Sequence, residues 1–202
     1  MTVTPDEQAR RSALVSLAEA TRRLSDVVAM TAVGPEVLAA AEADVRRAVA
    51  ALDAAHSDDR YSGLMDGVDF SDASRTLPLS PIIGAYSPVR PEVELWLEDG
   101  RVRGRATLER KHVGPPRSAH GGVGALIADQ LIALVPWALE LTSITKTLSL
   151  RYRKSLPFRE ELRLEAWGEP RGDNVVAHGT ISAAGAVCIE VEAELVSRSR
   201  LR

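Results

Sequence analysis

The stretch Ser118-Ala119-His120-Gly121-Gly122-Val123-Gly124-Ala125-Leu126-Ile127-Ala128-Asp129 decides how the rest of the chain is read. It opens with His-Gly-Gly after a Pro-Pro loop and stays apolar through Leu139, with Asp129 as its only ionisable side chain from Gly121 on. A helix that is apolar on all sides is buried on all sides. A carboxylate inside such a helix costs free energy unless it is paired, hydrated or used. Two glycines at the helix start leave backbone N–H groups bare of side chains, a ready site for developing negative charge. The bare helix start and one lone carboxylate about two and a half turns on suggest a hydrolytic site. Simpler readings stand beside it: a Gly-Gly turn, an aspartate capped by a nearby Arg or Ser, and His120 as an N-cap. The run is about long enough to cross a bilayer. Asp129, Gln130 and Pro136 interrupt it, and strand-like segments flank it, so a membrane span is set aside.

Outward from this helix the pattern changes to period two. Val93, Leu95 and Leu97 alternate with Glu92, Glu94 and Glu98. After Asp99-Gly100, Val102, Ala106 and Leu108 alternate with Arg101, Arg103, Arg105 and Thr107. Asp-Gly between two alternating runs predicts a hairpin. Trp96 falls on the polar face, which implies cover there; for Trp96, Trp137 and Trp167 the core is the favoured place. His112 reads as a solvated or turn histidine. Beyond the helix, Ile144, Leu148, Leu150 and Tyr152 share one parity, and Thr145, Thr147, Ser149, Arg151 and Arg153 the other. Leu162, Leu164 and Ala166 alternate again, and strands over 175–182 and 187–196 close the chain. The expected order is a strand pair, one buried helix and a four-strand antiparallel meander. That is an α+β architecture, a curved sheet wrapped around one helix.

The N-terminal part is different. Leu14, Leu17, Thr21, Leu24 and Val28 make one helical seam, and Leu38, Ala41, Val45, Ala48 and Leu52 another, separated by Gly34-Pro35. The short link predicts an antiparallel helical hairpin over residues 1–56. Residues 57–80 lose periodicity and read as a linker or covering loop, with His56 as an exposed loop histidine. Residues 81–202 are the expected main domain.

Composition narrows the function. The net charge of −3 argues against a nucleic-acid surface. Cys188 is the only cysteine, so neither an intrachain disulfide nor a cysteine-rich metal site is expected. The first residues lack an apolar signal core, and the cytoplasm is the expected location.

The motifs resemble those of hotdog-fold acyl-CoA thioesterases of the PaaI-like, phenylacetate-pathway type. The residues that carry the resemblance are Gly114-Pro115-Pro116 with His120-Gly121-Gly122, Asp129 after them, and Thr145 followed by Leu148-Ser149-Leu150-Arg151-Tyr152-Arg153-Lys154-Ser155-Leu156-Pro157. Gly179-Thr180-Ile181-Ser182 and Glu192-Ala193-Glu194 also fit, so the resemblance spans roughly residues 80–197. It implies that Asp129 acts as nucleophile or general base and that the Gly121 or Gly122 amide binds the oxyanion. It implies that His120 orients the loop or adds a hydrogen bond and that the Thr145 hydroxyl positions water. Arg117, Arg151, Arg153 and Lys154 become candidates for the coenzyme A phosphates; an exposed strand face is the plainer alternative for these basic residues. It also implies side-by-side dimers with one continuous sheet and interfacial active sites, often paired again into tetramers. An acyl-CoA or acyl-carrier thioester is the implied substrate, and no metal or cofactor is expected. Many relatives carry an Asn where this chain has Gly114, so that residue's role is absent or filled by another group. Two rivals remain: a non-catalytic acyl-CoA-binding, regulatory or assembly protein, and an acyl-thioester hydratase.

Overall fold

The computed structural model describes residues 4–55, 73–114 and 117–197. His56, the expected covering stretch from 57 to 72 and Pro115-Pro116 lie outside the described residues.

Among the described residues six strands form one antiparallel sheet. They are β1 Glu92–Glu98, β2 Arg101–Thr107, β3 Ser143–Tyr152, β4 Glu161–Arg171, β5 Asn174–Ala183 and β6 Ala186–Ser197. The first hairpin turns on Asp99 and Gly100, both at positive φ (52° and 70°), the twist that a two-residue hairpin needs. The strand order is β1-β2-β4-β5-β6-β3. The last four strands are therefore not a simple meander. β3 pairs with β6 at the far edge, and the chain crosses back to β4 through a segment that buries Leu156 beneath the helix start.

The central helix α4, Gly121–Ala133, lies on one face of this sheet. Ile127, Ala128, Leu131 and Ile132 are fully buried, among the inward residues of β4, β5 and β6: Leu164, Ala166, Ala177, Ile181, Ile189 and Val191. The helix is not covered all round. Gly122 is exposed, Leu126 is 44% exposed and Asp129 is half-buried, so one stripe of α4 stays open in the single chain. A sheet covers only one side of a helix, and among the described residues no other element covers the stripe of Gly122, Leu126 and Asp129. The apolar run also breaks: at Leu134 the chain passes into a short helix over Val135–Ala138, where Pro136 cannot donate a helical hydrogen bond. The window Gly121–Ala138 has the length and composition of a membrane span, but here it forms these two helices against the sheet.

Residues 77–90 add to the core. Ile82 and Ile83 are fully buried, and Ser80 Oγ donates to Gln130 of α4 at 2.6 Å. Trp137 packs against the core as expected, whereas Trp96 and Trp167 lie at the surface. Trp96 is 37% exposed on the strand surface, and Trp137 and Trp167 are only partly buried. Trp167 stacks on His178 and carries Arg101 over its ring, a surface arrangement.

The N-terminal helices are α1, Pro5–Met30, and α2, Pro35–Asp53. α1 docks through Ala18, through Arg22 donating to the Ser87 carbonyl at 2.7 Å, and through Lys111 pairing with Asp26 at 3.3 Å. α2 buries none of its residues and does not pack along α1, so the expected antiparallel hairpin is not formed. Both ends of the link, Thr31 and Gly34, have extended backbone angles.

Candidate active site

The start of α4 is held by a short web of hydrogen bonds. Val113 and Ala119 form a bridge, the Ala119 N–H donates to the Leu156 carbonyl at 2.9 Å, and the His120 N–H donates to the His112 carbonyl at 2.8 Å. His120 has extended backbone angles and is the N-cap: its Nδ1 accepts from the Gly122 N–H at 2.9 Å. In the neutral ring the proton then sits on Nε2. This capping bond uses the Gly122 amide. The Gly121 N–H has no hydrogen-bond partner among the described residues, so of the two glycines it is the open donor. The Gly121 carbonyl accepts from the Tyr152 hydroxyl at 2.9 Å.

Gly114 explains the missing asparagine. A Cβ there would lie 2.5 Å from His120 Cα and 2.7 Å from His120 N. No side chain fits while the loop holds His120 in this place.

Asp129 lies on the open stripe of α4, and Thr145 Oγ1 donates to its Oδ1 at 3.2 Å. Parity alone turns Thr145 away from the helix. A register shift between Thr145 and Thr147 inserts one residue, and Thr145 then pairs with the buried Leu195 on the helix side of the sheet. The same register puts Arg151 opposite Glu190 on the far face, where Arg153 pairs with Glu190 at 2.8 Å and holds its carboxyl below the usual range. The structure therefore does not bring Arg151 or Arg153 to Asp129 or to the helix start. Arg117 is exposed at a positive φ of 66° on the loop before His120, and Lys154 is exposed just past Tyr152. Both are at the Gly121 end of the site.

Two residues carry more than the sequence suggested. Tyr152 reads as one more inward strand residue, but its position at the end of that row places its hydroxyl on the helix start. His112 is half-buried rather than solvated. Its Nδ1 accepts from the Glu109 N–H at 3.1 Å within the 3-10 turn Arg110–His112. Cys188 is buried, and its thiol reaches only the Ala186 carbonyl, at 3.7 Å.

Along α4, Gly121 and Asp129 are about 12 Å apart at the ordinary helical rise. One thioester carbonyl cannot touch both in a single chain. A groove of about 590 Å³ runs between α1 and residues 75–86, and its lining includes none of these site residues.

No protein-family model matches the chain, and no curated protein matches it. Solved structures do. A crystal structure of a thioesterase superfamily protein is 27% identical with a TM-score of 0.76, over 91% of this chain and 94% of that one. That breadth exceeds the sheet and its helix, so the likeness extends into the helical N-terminal part. A hypothetical thioesterase protein from Streptococcus pneumoniae TIGR4, solved with coenzyme A, is 21% identical with a TM-score of 0.50, over 53% of this chain and 89% of that one. The E. coli PaaI protein from the phenylacetic acid degradation operon is 15% identical with a TM-score of 0.48, over 52% and 82%. The chain has the hotdog fold, and the first of these neighbours is a thioesterase superfamily protein.

Proposed function

We propose that two copies of this chain build a thioester hydrolase acting on acyl-CoA. The observation that carries the reading is the Asp129 carboxylate, held by Thr145 on a stripe of α4 that its own sheet leaves uncovered. Thr145 engages Oδ1 and leaves Oδ2 for chemistry. In one route Asp129 takes a proton from water, whose oxygen attacks the thioester carbon. The carbon–sulfur bond then breaks, and the coenzyme A thiolate leaves and is protonated. In the other, Asp129 attacks the thioester carbon directly, the carbon–sulfur bond breaks, the coenzyme A thiolate leaves and is protonated, and water hydrolyses the resulting anhydride. Either route needs a donor on the developing oxyanion, and the Gly121 N–H at the positive end of α4 is that donor. Because about 12 Å of helix separates Gly121 from Asp129, the donor comes from the second copy. Pairing of the free β3 edges sets the two α4 helices antiparallel, so Gly121 of one copy approaches Asp129 of the other.

The neighbours support this reading. The pneumococcal protein was solved with coenzyme A and as variants with an aspartate and a threonine replaced by alanine. Those two residues are separated by the same sixteen positions as Asp129 and Thr145. Arg117 and Lys154, at the Gly121 end, are the candidates for the coenzyme A phosphates.

The test is free-thiol release across aromatic and aliphatic acyl-CoAs, native chain against Asp129→Ala. Loss of turnover by roughly 10²–10⁴-fold in a folded variant is the expected result. A native chain that hydrolyses none of the panel, or an Asp129→Ala chain as active as native, would overturn it.

A further inference from the structure

The contact between α1 and the 3-10 turn holds two buried polar atoms with no partner among the described residues, Asp26 Oδ1 and His112 Nε2. Their chemistry is complementary. Because His112 Nδ1 accepts from the Glu109 N–H, the neutral ring carries its proton on Nε2, a donor without an acceptor. Asp26 Oδ1 is an acceptor without a donor, its other oxygen being paired with Lys111 at 3.3 Å. No hydrogen bond joins the two atoms, and what ties α1 to the turn is the Asp26–Lys111 ion pair. From His112 the connection runs on through its carbonyl to the His120 N–H at 2.8 Å, and from His120 Nδ1 to the Gly122 N–H at 2.9 Å.

We propose that the Asp26–Lys111 ion pair and the adjoining His112 turn form a brace through which α1 positions the start of α4. The proposal rests on the hydrolase reading for its effect on rate but not for its structure. His112 is a positioning residue, acting through His120 and the glycine amides. The brace works only while Nδ1 is an acceptor. A doubly protonated ring would set an Nδ1–H against the Glu109 N–H and undo the turn. Burial, with Lys111 beside it, holds His112 below the ordinary histidine value of 6.5; Asp26 and Glu109 act the other way. The remaining charges at the turn are the exposed Arg110 and Arg159, the latter paired with Glu109 at 3.1 Å. A histidine held low in the folded chain binds fewer protons than in the unfolded chain. The stability it contributes is therefore complete above about 6.5 and is lost as pH falls through the window below it.

The experiment is a histidine ring and backbone amide NMR titration of the full chain, native and Asp26→Asn, paired with thiol-release pH profiles of His112→Leu and His112→Asn. His112 should titrate below the ordinary value as the Nε2–H tautomer, and Asp26→Asn should lower it further. The Gly121 and Gly122 amide signals should follow the same titration. His112→Leu should lower kcat with little change in KM. His112→Asn, whose Oδ1 stands where Nδ1 did, should restore much of that loss and remove the acidic fall in rate. A His112 that titrates normally and ignores Asp26→Asn, or glycine amides that do not follow it, would overturn the brace. A native chain without turnover would sink the hydrolase reading alone, because the NMR arm decides the brace without a substrate.

Discussion

The Thr145 hydroxyl donates to Asp129 Oδ1 at 3.2 Å from a strand position that strict alternation would turn to the opposite face. One inserted residue in β3 makes the pair. A hydrogen bond to a charged group contributes about 1.5–3 kcal/mol net. Thr145→Ala should therefore lower kcat by roughly ten- to hundredfold with KM little changed, because the bond orients the carboxylate rather than the substrate. Thr145→Ser should recover most of it. Steady-state thiol release on the three proteins decides this.

Gly121 offers an unusually clean deletion of a backbone donor. It is the first residue of α4, where proline is well tolerated, and His120 before it already has the extended angles that a following proline demands. Gly121→Pro should keep the fold and lose about 10²–10³ in kcat, as expected for one oxyanion donor. Gly121→Ala keeps the N–H and brings its Cβ to 3.4 Å from the Tyr152 ring, so it should cost far less. Circular dichroism with kinetics separates the two.

If one active site takes Gly121 from one copy and Asp129 from the other, two inactive variants should rescue each other. Mixing Asp129→Ala with Gly121→Pro under conditions that exchange subunits should restore about a quarter of native activity at equal amounts: half the molecules are mixed, and each has one intact site. No recovery, with exchange shown by mass, would place both residues in one chain's site.

Gly114→Ala sets a Cβ 2.5 Å from the backbone of His120. The backbone cannot yield as a side chain does, so the loop must shift. A destabilisation of about 1–3 kcal/mol is expected, with a fall in rate because His120 moves too. Thermal melting of Gly114→Ala beside native reads the first effect directly. Gly114→Asn should be at least as harmful.

The parts of this molecule that were legible in the sequence are those whose signal is local. The Asp99-Gly100 turn, the alternation in β1 and β2 and the glycine start of α4 each announce themselves within a few residues. What escaped depends on events elsewhere. The bulge at Thr145 leaves no mark on a period-two pattern except to contradict it. The edge place of β3 depends on pairing with β6, some forty residues away in sequence. An all-apolar α4 reads the same whether its second cover comes from its own sheet or from another copy, so the open stripe of Leu126 and Asp129 could not be seen. The seams of α1 and α2 are real periodicities, but a stripe does not name its partner. Tyr152 and His112 matter through single hydrogen bonds at particular atoms, and spacing does not reveal where such atoms end up.

α2 has a consequence for how the chain melts and is cut. A helix of this length that buries none of its residues among the described residues is only marginally stable in water, because most helical stability in proteins comes from tertiary packing. Its amides should exchange with deuterium orders of magnitude faster than those of β5 and α4, and it should unwind well before the sheet. Trypsin then reaches the peptide bonds after Arg46 and Arg47, in its middle, before any in the sheet or α4. The native chain should therefore be nicked there while the sheet and α4 stay whole, and loss of that early cut would be the simplest sign that another surface has come to rest on the helix.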